Sequence, residues 1–529
     1  MSTSDQVSAV LAQGGDIPAP HIEYGQIMPL LLVLGIGVVG VLVEAFVGRR
    51  ARYYVQVPLA FLGLGGAFAW TVALGWKDNP HHVAAEGALG VDGPTLFLQG
   101  TILVLGLVSL LLVAERGEGG SVGGHFTAQA SALPGTEAEQ RTAQAGITQT
   151  EVYPLMMFTI GGMMMFPAAN DLLTMFVALE VMSLPLYLLC GLARRRRLLS
   201  QEAAVKYFLR GAFSSAFFLY GTALLYGYAG SVRLSDISAQ IGKDAGSETM
   251  LLAGVALLSV GLLFKLGGVP FHMWKPDVYQ GAPTPITALM ASGTVVAAFG
   301  GILRVYYVAF ETLRWDWRPV MWGVAIITMV AGSIIAITQT DIKRLLAYSS
   351  IAHAGFLLMG VIASSPNGLS STLFYLLAYG FASVGAFAVV TMVRDAGGEA
   401  GHLSRWAGLG KRSPVVAGVM AFFLLTFAGI PLTSGFTGKF ALFKAAVEEG
   451  ATPLVIVAVI ASGVAAFFYV RVIVVMFFSE PDADGPVVVA GPATAVAVAL
   501  GVTATVVLGV IPQPVLDLAG QATTHMFVR

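Results

Sequence analysis

Apolar residues run through this chain of 529 residues in long blocks, separated by short charged or Gly/Pro-rich turns. Roughly 20 apolar residues in helical conformation span the hydrocarbon of a bilayer. About fourteen blocks are long enough to do so: 26–47, 54–74, 94–113, 152–166, 172–192, 203–229, 250–279, 284–310, 320–338, 344–362, 369–393, 415–447, 454–478 and 487–510. The pattern predicts an all-α, polytopic membrane protein. Two blocks, the seventh and the twelfth, are interrupted, by Gly268-Val269-Pro270 and by Gly429-Ile430-Pro431. Breaks of this kind stop a helix, and at membrane depth they are tolerated only against protein or a water-filled cavity. Five spans separate the two breaks, and an odd number of spans per repeat makes successive units inverted, as in many transporters. A plainer reading also stands: Gly and Pro are common in membrane helices.

The expected organisation follows. A polar N-terminal segment, 1–25, lacks a basic n-region and predicts insertion through the first helix rather than a cleaved signal. Three flanking helices fill 26–113, and a Gly/Ala/Gln-rich segment, 114–149, reads as a flexible cytoplasmic loop. One five-helix unit covers 150–311 and a second, inverted, covers 317–478. A last helix and tail occupy 487–529.

Composition agrees with the pattern: the chain is 56% hydrophobic and 11% charged, with a formal net charge of -1. A near-neutral balance implies neither a nucleic acid nor an acidic partner. The single cysteine, Cys190, excludes an intrachain disulfide and a cysteine-ligated cluster. The histidines show no metal-ligand spacing, and no glycine-rich nucleotide loop is present. The basic residues Arg49, Arg50 and Arg52, Arg194–Arg197, Lys343 and Arg344, and Arg405, Lys411 and Arg412 all follow odd-numbered spans. The excess of loop Lys and Arg on the cytoplasmic side then predicts that both termini lie outside.

Ionisable residues inside apolar spans are costly, and each is by default a functional hypothesis. Glu180 lies mid-helix in LLTMFVALEVMSLPLYLL, Lys265 immediately precedes the first break, and Lys439 follows the second. Lys206, in EAAVKYFLRGAFSSAFFLYG, lies near a helix end, where a snorkelling lysine is the alternative. His353, beside Ser349 and Ser350 in YSSIAHAGFLLMG, fits either a relay or a hydrogen-bonded structural role. Buried charges of opposite sign must pair or neutralise, and moving a carboxylate relative to a buried amine loads or releases a proton. Such a set predicts a proton relay without bond-making catalysis.

Five blocks carry a resemblance over most of the chain from the fourth span onward: ALEVMSLPLYLL, KYFLRGAFSSAFFLYG, FKLGGVPFHMWKPDVYQGAPTP, YSSIAHAGFLLMG and FAGIPLTSGFTGKF. In order and spacing they resemble the antiporter-like membrane subunits of respiratory complex I (proton-translocating NADH:quinone oxidoreductase), those of the N type in particular. The resemblance implies that Glu180 is paired with Lys265, that Lys206 bridges onward, that His353 belongs to a central hydrophilic axis, and that Lys439 faces a second half-channel. One position departs from the family pattern, which carries a lysine early in the eighth span: Val295 stands there. Arg304, nine residues on and about 13 Å along the axis, is too far to replace it locally.

The resemblance further implies a cofactor-free subunit in a bacterial cell (inner) membrane. The FMN and iron–sulfur clusters would then lie in partner subunits, with quinone as acceptor. Its partners would be the other membrane subunits, the peripheral NADH dehydrogenase arm and the lipid bilayer, with no nucleic acid. Alternatives with the same fold are a subunit of a multi-subunit sodium/proton antiporter or of a membrane-bound hydrogenase-type complex.

Overall fold

The computed structural model describes residues 22–76, 81–115, 124–127, 136–137, 149–243, 246–395, 398–481, 484–524 and 526–528. Most of the expected N-terminal segment and most of the 114–149 loop lie outside the described residues. The first spans are α1 (Tyr24–Phe46), α2 (Arg49–Trp76), α3 (Gly93–Val113), α4 (Val152–Ala168), α5 (Leu172–Cys190) and α6 (Arg197–Ala229). A short surface helix, α7 (Leu234–Ile241), precedes the first broken segment, which is α8 (Glu248–Leu266) and α9 (Trp274–Gly281). Then come α10 (Thr284–Ala309), α11 (Arg314–Thr338), α12 (Ile342–Ala363) and α13 (Pro366–Met392). The second broken segment is α14 (Pro414–Ala428) and α15 (Ser434–Glu448), followed by α16 (Thr452–Phe478), α17 (Pro492–Val510) and α18 (Gln513–Ala522). Among the described residues, twelve helices are long and apolar enough to cross a membrane, and α4 and α14 are shorter apolar helices.

Local chemistry sets where the helices begin and end. Asp92, Asp171 and Asp341 cap α3, α5 and α12 by accepting from backbone N–H groups two or three residues on. The first half of the first broken segment ends on Gly267 at φ +78 and that of the second on Gly429 at φ +87, left-handed conformations that glycine adopts without strain. A further likeness links the two halves. Leu172 donates its N–H to Val232 O (3.0 Å) and Leu234 to Asn170 O (3.2 Å), while Ile342 donates to Gly401 O (2.8 Å) and Leu403 to Thr340 O (2.7 Å). The same loop-to-cap bridge is thus made at the start of α5 and at the start of α12.

Three differences from the sequence reading have clear causes. Helix α6 starts at Arg197, six residues before the predicted apolar start, because Ser200 ties its first turn to the end of α5. Its hydroxyl donates to Cys190 O (2.6 Å) and accepts from Ala193 N–H (3.1 Å). Helix α10 carries π-turns at Met290–Thr294 and Val305–Ala309, on either side of the segment that begins with Val295. Short strands occur in the loops: β1 (His82–Ala84) pairs antiparallel with β2 (Leu89–Val91), and β3 (Val393–Asp395) with both β4 (Gly398–Glu399) and β5 (Val487–Val488).

Helices α10 and α12 are wholly enclosed, whereas only a third or less of the residues along α1, α2, α16 and α17 are buried. The inner helices form the axis of the bundle and the outer ones present a lipid-facing apolar surface. One end of the axis is tied by a fully buried ion pair. Arg304 Nη2 donates to Asp92 Oδ2 (2.7 Å) and Thr95 Oγ1 (2.6 Å), its Nε to Pro167 O (2.6 Å), and both charged side chains are at 0% exposure. Asp92 also accepts from Val528 N–H (3.0 Å). Removing one member of such a pair typically costs about 3–5 kcal/mol, because the other charge is stranded. Asp92→Asn keeps the cap of α3 but leaves the guanidinium uncompensated. It is expected to lower the monodisperse fraction recovered after detergent extraction, and Asp92→Asn with Arg304→Gln should regain most of it. Equal losses in both would show that charge pairing is not what the site supplies.

Candidate functional site: a buried amine and hydroxyl axis

Capping by Asp171 fixes the start of α5, which places Glu180 in its middle with its side chain toward α6. There Ser215 Oγ donates to Glu180 Oε1 (2.5 Å). One turn further, Ser183 donates to Leu179 O and accepts from Lys265 Nζ (2.7 Å). Lys265, at the last turn of α8, also donates to Tyr207 Oη (3.2 Å) and is 4% exposed. Glu180 and Lys265 therefore lie in one cluster across α5, α6 and α8, but each is held by neutral hydroxyls and not by the other. A hydroxyl rotates to donate or accept, so Ser183 and Tyr207 satisfy the amine in either protonation state.

Lys206 is placed elsewhere. Its amine bonds Glu202 (2.6 Å) and Asp277 (3.2 Å), and its side chain is 37% exposed. Asp277, on α9, is also met by Arg344 Nη1 (2.8 Å) and lies 3.6 Å from Arg210 Nη1. This half-exposed cluster at the helix ends is a separate electrostatic centre from the Lys265 pocket.

The second half of the molecule assembles the remaining predicted residues. His353, 2% exposed on α12, has Nδ1 at 2.6 Å from Tyr375 Oη and Nε2 at 3.4 Å from Tyr469 Oη, while Tyr469 is joined to Ser349. Its ring lies tilted against Tyr379 at 4.9 Å and meets Phe427 edge-on at 5.7 Å. Lys439 Nζ donates to Phe427 O (2.9 Å), Ala428 O (3.1 Å) and Ser462 Oγ (2.8 Å) and lies over the Phe356 ring. Phe427 thus contacts both groups, its ring on His353 and its carbonyl on Lys439.

Sequence reasoning passed over several members of this axis. Lys275, wholly buried on α9, donates to Leu266 O and Ser350 Oγ, both at 2.9 Å. It lies past the break in the interrupted span 250–279, in HMWKPD, where polar neighbours leave it without the apolar contrast that marks Lys265. Tyr207, Tyr375, Tyr379 and Tyr469 lie in apolar helices, where an aromatic residue is ordinarily core. Only the three-dimensional contacts single them out.

Near the N-termini of α10 and α12 an open polar cavity of about 900 Å³ is lined by Arg194, Arg195, Arg196, Lys343, Arg394, Arg405 and Glu399, among others. Glu399, in the loop after α13, accepts from Thr284 Oγ1 and faces His125 Nδ1 (3.4 Å) and Lys343 Nζ (3.6 Å). Burial pushes this carboxyl up, but Lys343, His125 and the Thr284 hydroxyl outweigh burial and hold it at about 2, below the ordinary 4.5. Among the described residues, no three His, Cys, Asp or Glu side chains cluster to hold a metal ion.

Known proteins share this chain's sequence pattern and fold. Residues 169–465 fit the family described as NADH:quinone oxidoreductase/Mrp antiporter, TM. The chain is 61% identical to NADH-quinone oxidoreductase subunit N of Rhodococcus opacus, over 99% of both chains. It also matches a chain of respiratory complex I from Thermus thermophilus with bound aureothin, 32% identical with a TM-score of 0.74, over 93% of this chain and 99% of that one. A chain of the Mrp complex from Dietzia shares the fold at 23% identity, with a TM-score of 0.77 over 94% of this chain and 97% of that one. The chain belongs to the NADH:quinone oxidoreductase/Mrp antiporter membrane family and, within it, to the subunit N group of NADH-quinone oxidoreductases.

The depressed Glu399 carboxyl yields a pH prediction. A carboxyl held below its unfolded value contributes stability that is complete above about 4.5 and lost as pH falls towards about 2. Glu399→Gln is expected to lower thermal stability near neutral pH, by at most about 3 kcal/mol. Its deficit against the parent should shrink through that acidic window. A deficit that stays constant across it, in melting curves of both proteins in one detergent, would remove Glu399 ionisation as the cause.

Proposed function

We propose that this chain is a proton-translocating membrane subunit of an NADH:quinone oxidoreductase, driven by electron transfer from NADH to quinone in partner subunits. Family membership supports the setting. The observation that carries the relay is the Lys265 pocket: a buried amine bonded to two hydroxyls, one of them, Ser183, one turn along α5 from the partly buried carboxylate of Glu180. At an effective dielectric constant of about 20, a unit charge moved from 4 to 8 Å changes the interaction by about 2 kcal/mol, which exceeds one pKa unit. A small motion of Glu180 relative to Lys265 is therefore enough to decide whether the amine holds its proton.

In this reading Glu180 and Lys265 serve a first half-channel, Lys206 links to its Asp277 cluster, His353 belongs to the central axis, and Lys439 serves the second half-channel. The shared caps and bridges at the starts of α5 and α12 support two inverted five-helix units, 150–311 and 317–478. FMN and iron–sulfur clusters belong to the peripheral NADH dehydrogenase arm, which this chain reaches through neighbouring membrane subunits. The membrane is the bacterial inner membrane, with the basic loops cytoplasmic and both termini outside.

Orientation is checked by a cysteine placed in the 395–413 loop, with Cys190 removed as a control. It is expected to resist impermeant thiol reagents added to intact cells, and labelling from outside would reverse the assignment. The relay is checked in inverted vesicles with Glu180→Gln and Lys265→Ala. NADH oxidation by an artificial acceptor should persist, since that chemistry belongs to peripheral subunits, while quinone-coupled proton uptake should collapse. Full pumping by an assembled Glu180→Gln complex would sink the relay.

A further inference from the structure

The amine that stands in the first broken helix as Lys439 stands in the second is Lys275, not Lys265. Both broken helices end their first half on a left-handed glycine, Gly267 after α8 and Gly429 after α14. In each, a lysine from the second half reaches back to the carbonyls the break leaves free. Lys275 Nζ donates to Leu266 O at 2.9 Å, and Lys439 Nζ to Phe427 O and Ala428 O at 2.9 and 3.1 Å. Each then completes its shell with one serine hydroxyl from a neighbouring helix, Ser350 at 2.9 Å and Ser462 at 2.8 Å. The aliphatic stem of each passes over the glycine. A Cβ at Gly267 would lie 2.7 Å from Lys275 Cδ, and one at Gly429 would lie 3.1 Å from Lys439 Cδ. Lys265 has none of these contacts; it bonds side-chain hydroxyls only.

Two features of the Lys275 site suit a proton carrier better than a fixed structural charge. No carboxylate lies within ion-pair distance of its amine among the described residues, so nothing there locks it as an ammonium. Its two partners are a carbonyl and a hydroxyl, which satisfy a neutral amine as well as a charged one when the hydroxyl turns. The position also bridges the halves of the molecule. Lys275 is on α9 of the first broken helix, while Ser350 is on α12, one turn before His353. Tyr279, also on α9, has the Lys275 amine 5.9 Å from its ring centroid. The resemblance described for the sequence implies a lysine early in the eighth span, where this chain has the uncharged Val295.

We propose that Lys275 is a proton-carrying residue of the central axis: it takes a proton from the Lys265 side and passes it through Ser350 towards His353, the link that Val295 does not supply. The transfer moves one proton between amine, hydroxyl and imidazole, with no change of oxidation state. This assignment rests on the relay reading above and extends it by one residue.

Two substitutions test it in the intact complex, in inverted vesicles. Lys275→Gln keeps a donor for Leu266 O and a partner for Ser350 but carries no exchangeable charge. Lys275→Arg keeps the cation but does not release its proton. Both assembled variants should oxidise NADH with an artificial acceptor at the parent rate. Quinone-coupled proton uptake should fall by about a hundredfold, the lower end of what a positioned proton carrier contributes. Pumping near the parent rate by either variant would overturn the assignment. So would failure of both to assemble, which would make the amine a structural cap of α8. Glu180→Gln, measured beside them, separates the two readings. Its loss of pumping with Lys275 variants still pumping leaves the relay standing without Lys275. The reverse leaves Lys275 as a carrier in a path that does not use Glu180.

Discussion

A buried amine needs acceptors, and the interior of a helical bundle has few to spare, since intact helices consume their own carbonyls. Here that shortage is met by breaking helices. Gly267 and Gly429 end α8 and α14 in a conformation open to glycine, and the last carbonyls of each half-helix turn towards a lysine. The negative end of the half-helix dipole favours a cation at the same place. Because these glycines have no Cβ, the lysine stems can cross the chain there. Helix end, cation site and passage for the side chain are thus one device, present in two copies.

Between the copies the polar atoms are mainly hydroxyls. Tyr207 and Ser183 meet Lys265, Ser350 meets Lys275, and Tyr375, Tyr469 and Ser349 surround His353. A fixed carboxylate at any of these places would hold a neighbouring amine in one state. Hydroxyls impose no such preference and reorient at little cost. The carboxylates are kept to the edges of the axis: Glu180 one turn along α5 from Ser183, the partner of Lys265, Asp277 among cations at the helix ends, and Asp92 against Arg304. Charge is therefore concentrated where it can bias the axis without occupying it.

How much of this was legible in the sequence depends on whether a signal is local. Spans are local, since about twenty apolar residues in a row leave little else to choose, and the breaks show as Gly and Pro within such runs. Glu180, Lys265, His353 and Lys439 stand out as single ionisable residues in apolar text. Lys275 does not, because in HMWKPD it stands among other polar residues after a break; its burial comes from α9 folding back against α12. The ion pair of Lys206 with Asp277 and the clamp between Asp92 and Arg304 join residues far apart in the chain. Periodicity carries no information about such contacts. The early start of α6 was missed for a related reason, since Ser200 takes part in the end of α5 rather than in an apolar run.

The clamp has a consequence for how the molecule is made. Asp92 opens α3, yet its salt-bridge partner arrives 212 residues later and Val528 N–H 436 residues later. In a chain inserted from its N-terminal side, the carboxylate waits beside the third span while most of the bundle is synthesised. Until then its acceptors are met locally, by the Thr95 N–H and hydroxyl. Arg304 brings with it the wholly enclosed α10, and Val528 comes only after the last span. The two partners arrive in chain order, so Asp92 is fully satisfied only once every helix is in place, and its state of pairing records how far the membrane domain has been completed.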